Sequence, residues 1–203
     1  MMKTRKMNNQ QRILDISKRL GLSHISSCLS VLPILEEIYE ETPSIDRIYL
    51  NRVILSGAHS HLAHLILQEE YGYIPIDWDI EELIKKDIHC NRASGCNVSG
   101  GSLGHGIGIG IGMALADSTT PVYVVTTDGA LGEGSEWEAL NLAREMELKN
   151  LKIIVNMNGY SATKQIDKDT LTTRLLAFYP DIDIRYTYNT EEFDGIFGHY
   201  KTI

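Results

Sequence analysis

Residues 126 to 160 read TTDGALGEGSEWEALNLAREMELKNLKIIVNMNGY, which is an apolar strand ending in Asp128-Gly129, an amphipathic helix, a second apolar strand, and then Asn156-Met157-Asn158-Gly159. A strand–helix–strand unit sets its two strands side by side and parallel, so both strand ends emerge on the same edge of the sheet. Asp128 and Asn158, thirty positions apart, are therefore expected to face each other. A carboxylate, an amide oxygen and a nearby backbone carbonyl are hard oxygen donors. They suit Mg²⁺ held together with a diphosphate better than they suit zinc.

The rest of the chain must supply a layered α/β fold around that unit. With 203 residues, 43% apolar and 23% charged, it can bury one core, and a single domain over 1–203 is expected. The net charge of −8 is spread along the chain and argues against a nucleic-acid surface. The N-terminus, MMKTRKMNNQQR, is basic and polar without the apolar core of a signal peptide, and no stretch approaches the ~20 apolar residues of a membrane span. A cytoplasmic protein with no membrane partner is expected. Cys28, Cys90 and Cys96 are then reduced thiols, and the spacing of Cys90 and Cys96 lacks a zinc-ligand pattern.

Along the chain, Asn8 or Asn9 caps a helix with the stripe Ile13, Leu14, Ile16, Leu20 and the stop Gly21. The segment GLSHISS reads as a loop, and Ser30 as the cap of a second helix with Pro33 in its first turn, ending at Thr42-Pro43. Arg52 to Leu55 is a short buried strand. Ser56-Gly57-Ala58-His59 leaves it for a helix closing near Gly72, and Asp79 caps a short helix through Ile84. Residues 88 to 100 read as irregular. Strand 121–126, helix 135–147 with a Ser135/Glu138 capping box, and strand 151–156 follow; then come a helix near 168–178, a strand near 182–188 and a brief tail. The alternation predicts a parallel sheet with helices on both faces.

The stretch Gly101 to Gly112, GSLGHGIGIGIG, invites a nucleotide-binding reading that its spacing does not support. After Gly104 and Gly106 a dinucleotide fingerprint needs glycine at 109, which is Ile; after Gly106 and Gly108 it needs glycine at 111, also Ile. No Lys-Ser or Lys-Thr follows to make a phosphate loop. Glycines at alternate positions permit close backbone approach, either to a ligand at the helix start or to another element along it. Gly101 to Gly104 are the better ligand candidates.

The segments GSLGHGIGIGIGMALA, VVTTDGALGEGSEWEALNLA and IIVNMNGYS, in that order and spacing, resemble the N-terminal, diphosphate-binding half of transketolase and related thiamine-diphosphate enzymes. Thr127-Asp128-Gly129 and Asn158 occupy the family's diphosphate motif, with Thr127 where the family has glycine. The resemblance implies a thiamine-diphosphate-binding domain with Mg²⁺ held by Asp128, Asn158 and the backbone oxygen of Tyr160. It assigns the cofactor to Gly101, Ser102, Leu103, Asp128, Gly129 and Asn158, with His199 of the tail as a late diphosphate neighbour. His24, in a loop context with Ile25 in place of proline, His59 after Ser56-Ala58, and His89 ahead of the glycine-rich segment match the family's active-site histidines. Glu133 matches a glutamate that lies at the family's subunit interface; a first-turn carboxylate favoured by the helix dipole is the alternative.

Histidine suits proton exchange with substrate hydroxyls because its pKa lies near neutral. A buried structural role competes for each, and His61 and His64 are expected at the surface or in packing; a His59-x-His61-x-x-His64 metal site has no flanking carboxylate to complete it. Trp137, Leu140 and Ala143 share one helical face, as core or interface. The family's second half carries the glutamate and apolar pocket that handle the cofactor's pyrimidine ring, and 203 residues leave no room for it. The resemblance therefore implies the α-type subunit of a split, α2β2 transketolase-like enzyme that transfers a ketol unit between sugars, with its active site shared with a partner subunit. A synthase or decarboxylase using pyruvate or another 2-keto acid, and a non-catalytic interaction protein, are the alternatives.

Overall fold

The computed structural model describes residues 8–41, 52–189 and 191–203, without the side chains of Glu191 and His199. The expected end of the second helix at Thr42-Pro43 lies outside the described residues. The chain opens with α1 (Asn9–Leu20), where Asn8 accepts the amide of Gln11 at 2.7 Å and Gly21 closes the helix at φ 62°. Helix α2 (Ile25–Glu41) follows, then β1 (Arg52–Leu55), α3 (His61–Glu70) and α4 (Ile80–Lys86), the last capped by Asp79 as expected. Helix α5 (Gly106–Ala116), β2 (Val122–Thr127), α6 (Gly134–Met146), β3 (Leu151–Met157), α7 (Lys168–Phe178), β4 (Asp183–Tyr186) and α8 (Gly195–His199) complete the order. The described tail thus holds a short helix.

The four strands form one parallel sheet in the order β1-β2-β3-β4. Registers such as Val124↔Ile153 and Asn156↔Arg185 align all four C-terminal ends on one edge. Because successive strand residues point to opposite faces, the sheet divides its apolar residues between two layers. Leu55, Val125 and Ile154 face α1 to α4, whereas Ile54, Val124, Ile153 and Val155 face α5 to α7. Strands buried on both faces read as continuous apolar runs, which is why β2 and β3 are legible without alternation. This is the α/β sheet with helices on both faces.

Two boundaries differ from the sequence reading. Helix α2 begins at Ile25, so Ser30 is an interior residue and Pro33 is not in the first turn. The buried series Ile25, Cys28, Val31, Leu32, Leu35, Ile38 continues the apolar stripe back into GLSHISS. That burial outweighs the ~3 kcal/mol an interior proline costs. Helix α6 is capped at Glu133, and no Ser135/Glu138 capping box forms, because the Ser135 hydroxyl donates to the Gly104 carbonyl at 2.7 Å instead.

The alternate glycines of α5 also divide cleanly. A Cβ at Gly106 would stand 2.6 Å from Ser56 Cβ, and one at Gly110 would stand 2.3 Å from Val124 Cγ2, whereas Gly108 and Gly112 meet nothing within 4 Å. Gly106 and Gly110 lie four apart on one helix face and let α5 sink onto the sheet. The approach is to strands, not to another helix.

Candidate active site

The sheet edge brings the ends of β2 and β3 together, and a cavity there is lined by Ser27, His59, Leu103, Asp128, Asn158 and Tyr160, among others. Asp128 is 1% exposed. Its Oδ1 accepts the Gly129 amide at 3.0 Å and its Oδ2 accepts the Gly159 amide, so the carboxylate ties the two strand ends to each other. Burial lifts its pKa to about 6 against the pull of those two amides and of the Lys168 ammonium. A desolvated carboxylate of this kind is stabilised by a cation.

Asn158 Oδ1 accepts the Tyr160 amide at 2.9 Å, folding the loop so that Gly159 takes φ 92° and the Tyr160 carbonyl comes near Gly129. A Cβ at Gly159 would stand 2.5 Å from Lys168 Cε, so glycine is required both for the turn and for the approach of that lysine. Asp128, Asn158 and the Tyr160 carbonyl, expected to converge from thirty residues apart, lie on one cavity wall. Gly129 lies there too. The donor set is all oxygen and includes one buried carboxylate, which fits Mg²⁺ and a diphosphate.

Thr127 has its own role. Its Oγ1 accepts the Ala130 amide at 3.0 Å and so closes the short turn Ala130–Gly132, a task glycine could not perform.

Of the three expected histidines, His59 lines the cavity, His24 lies in ring contact with it, and His89 is near enough to act on His24 through its charge. His24 sits at φ 62°, a left-handed conformation rare for a residue with a side chain, and its carbonyl accepts the Cys28 amide to start α2. Its ring lies 5.1 Å from that of His59 and 5.5 Å from that of Tyr200, and its Nδ1 is 2.7 Å from the Ser23 hydroxyl. Burial, together with the charge of His89, holds the His24 pKa below its ordinary value. His89 is oriented by Asp87, whose Oδ1 accepts the His89 amide at 2.9 Å and lies 3.2 Å from its Nδ1; these bonds, the amide first, lower the Asp87 pKa.

Of the glycine-rich residues, Gly101 lies against the His89 ring, Leu103 lines the cavity, and Ser102 is exposed beside them. Gly104 takes φ 88°, and a Cβ there would stand 2.8 Å from Glu133 Cβ. The side chain of His199 lies outside the described residues, though its neighbour Tyr200 brings the tail onto His24.

Several residues at the site escaped the sequence reading. Ser30, on α2, accepts the amide nitrogens of Asn156 at 3.1 Å and Asn158 at 3.5 Å, anchoring the end of β3 from across the sheet. Glu136, 0% exposed, accepts the hydroxyls of Ser56 at 2.7 Å and Thr126 at 3.2 Å together with the Gly106 and Ile107 amides. Burial raises its pKa, and its place at the N-terminus of α5 opposes that rise. A glutamate within the apolar face of α6, between Ala143 and Leu140 on one side and Glu133 on the other, was the available signal. His61 and His64, expected at the surface or in packing, are packed, at 0% and 1% exposure, because α3 is covered by the 87–97 loop.

Among the described residues no helix is long and apolar enough to cross a membrane. A family model described as 1-deoxy-D-xylulose-5-phosphate synthase matches residues 91–178. The chain is 30% identical over 79% of its length to the A subunit of the apulose-4-phosphate transketolase of Actinobacillus succinogenes, spanning 63% of that protein. It is 25% identical over 96% of its length to the like-named protein of Phocaeicola vulgatus, spanning 74% of it. Among solved structures, transketolase from Leishmania mexicana superposes with a TM-score of 0.68 at 22% identity, over 88% of this chain and 36% of that one, a likeness of fold. The chain is thus similar in sequence to two proteins named as transketolase A subunits, and in fold to part of a transketolase.

Proposed function

We propose that this chain is the N-terminal subunit of a two-subunit transketolase-like enzyme, that it binds thiamine diphosphate through Mg²⁺, and that with its partner it transfers a two-carbon ketol unit between sugars. The observation that carries this reading is the convergence of Asp128, Asn158 and the Tyr160 carbonyl on one cavity with His59 and Leu103. On this reading the chain folds as one domain, works in the cytoplasm and assembles with a partner that carries the pyrimidine-binding and C-terminal domains, as an α2β2 enzyme.

Asp128, Asn158 and Tyr160 would hold the metal, with Gly129 and the Gly101–Leu103 segment beside the diphosphate. When bound, thiamine diphosphate supplies a thiazolium carbon that adds to a carbonyl and stores the resulting charge. The chain orients the reactants and moves protons. His24, kept neutral by burial, is suited to accept a proton from a donor hydroxyl, and His59, in ring contact with it, to share that proton. Asp87 fixes the His89 ring, leaving its other nitrogen for a substrate oxygen. Glu133, exposed at the start of α6, would lie at the contact between subunits.

The test is to combine the chain with the product of a neighbouring reading frame, add thiamine diphosphate and Mg²⁺, and follow turnover of ketose donors. Cofactor-dependent turnover is expected; the absence of both binding and turnover in the assembled complex would sink the reading. The synthase description of the matching family model favours one second reading, a pyruvate-using synthase. Release of carbon dioxide from pyruvate, with no use of ketoses, would select it.

A further inference from the structure

Away from the cavity, the buried side of α3 carries a cluster that the proposed chemistry does not use. His64, Cys90 and Cys96 place a ring nitrogen and two sulfurs within 4.8 Å of one another, and all three residues are buried. His64 Nδ1 stands 3.9 Å from the Cys96 sulfur, a long and weak contact, and its Nε2 has no hydrogen-bond partner among the described residues. A buried imidazole satisfied this poorly asks for a missing partner.

His61, one turn earlier on α3, stands outside that group of three. Its Nε2 is 3.0 Å from the Ser94 hydroxyl and its Nδ1 lies 3.3 Å from the Asp87 carbonyl, so it fastens the loop to α3 beside the cluster. Two thiols and one imidazole are donors that suit Zn²⁺. The six-residue interval between Cys90 and Cys96 gives no zinc pattern on its own, because the third ligand comes from a helix some thirty residues earlier.

We propose that Cys90, Cys96 and His64 bind one Zn²⁺. Binding would release the two thiol protons to solvent and leave the metal as a neutral bis-thiolate complex with one imidazole. The site would pin the 87–97 loop onto α3. That loop carries His89 and leads into Gly101–Leu103, and the metal would add to its contacts with His61, to the Cys90 amide bond to the Ala58 carbonyl at 2.9 Å and to the Gln68 Nε2 bond to the Gly95 carbonyl at 2.8 Å. The metal would thereby fix one wall of the cavity without touching substrate.

The direct test is the metal content of the full chain purified under reducing conditions with Zn²⁺ supplied, together with the absorption spectrum after replacement by Co²⁺. Close to one equivalent per chain, with sulfur-to-cobalt charge-transfer bands and the strong visible bands of a tetrahedral ion, is expected. Cys90→Ser and Cys96→Ser should each abolish the bands, whereas Cys28→Ser, whose buried thiol lies outside the cluster, should retain them. If the serine variants do not fold, the wild-type chain still decides the matter: a chelator should raise by two the number of thiols that alkylate. A reduced, Co²⁺-loaded wild-type chain that shows no thiolate bands and no retained metal would overturn the proposal. So would a Cys90–Cys96 disulfide that persists in the chain as isolated.

Discussion

Substituting Asp128 by asparagine separates the two opposing roles of that carboxylate, and the separation can be read from pH. In the unfolded chain the carboxyl titrates near 3.8; burial in the native chain lifts it to about 6. At 1.36 kcal/mol per pH unit, the ionised native form carries a penalty of roughly 3 kcal/mol. Between those two values the native chain holds a proton that the unfolded chain has released, so this group's contribution to stability falls as pH rises. The penalty is absent below pH 3.8 and complete above about 6. The side-chain amide of the Asp128→Asn variant cannot ionise. It keeps one carbonyl oxygen for either the Gly129 or the Gly159 amide and strands the other, a cost of about 1–3 kcal/mol that does not vary with pH. Urea unfolding of both metal-free proteins between pH 4 and 8 should therefore show the wild-type advantage shrinking by roughly 3 kcal/mol across that range. Adding Mg²⁺ should flatten the wild-type dependence and leave the variant unchanged, because a cation favours the ionised form. Parallel pH curves for the two proteins would refute the argument.

Other substitutions test the packing and the buried network. Gly110→Ala should cost about 1–3 kcal/mol by overpacking against Val124, whereas Gly108→Ala, with open space around it, should gain up to about 1 kcal/mol of helix propensity; melting temperatures report both. Glu136→Ala should destabilise by roughly 3 kcal/mol, because it strands the Ser56 and Thr126 hydroxyls and uncaps α5; a loss below about 0.5 kcal/mol in urea unfolding would show that the carboxylate is not the junction described. Ser30→Ala should weaken diphosphate binding by releasing Asn156 and Asn158 while leaving Asp128 in place, a change that calorimetry of the assembled complex resolves.

The sheet and the meeting of Asp128 and Asn158 at one edge were legible because they depend on local rules. Continuous apolar runs mark strands covered on both faces, and parallel pairing carries Asp128 and Asn158 to the same edge whatever the intervening helix contains. The start of α2 was not legible. Ser30 and Pro33 look like a helix start, but the residues that hold α2 earlier, Ile25 and Cys28, do so through tertiary burial. Ser135 with Glu138 has the spacing of a capping box, yet the hydroxyl is taken by a carbonyl thirty-one residues away. Glu136 and Ser30 belong to the same class: polar residues on otherwise buried faces, whose partners come from distant elements. The surroundings of His61 and His64 could not be read from α3 alone, since the loop that buries them follows twenty-odd residues later.

The central claim is that Asp128, Asn158 and the Tyr160 carbonyl anchor a metal–diphosphate group. Isothermal titration of thiamine diphosphate into the chain assembled with its partner, with Mg²⁺ and again with chelator, tests it most directly. The predicted result is binding that requires Mg²⁺ and is lost in both Asp128→Ala and Asn158→Ala. Binding of equal strength without a divalent cation, or undiminished in those two variants, would contradict it.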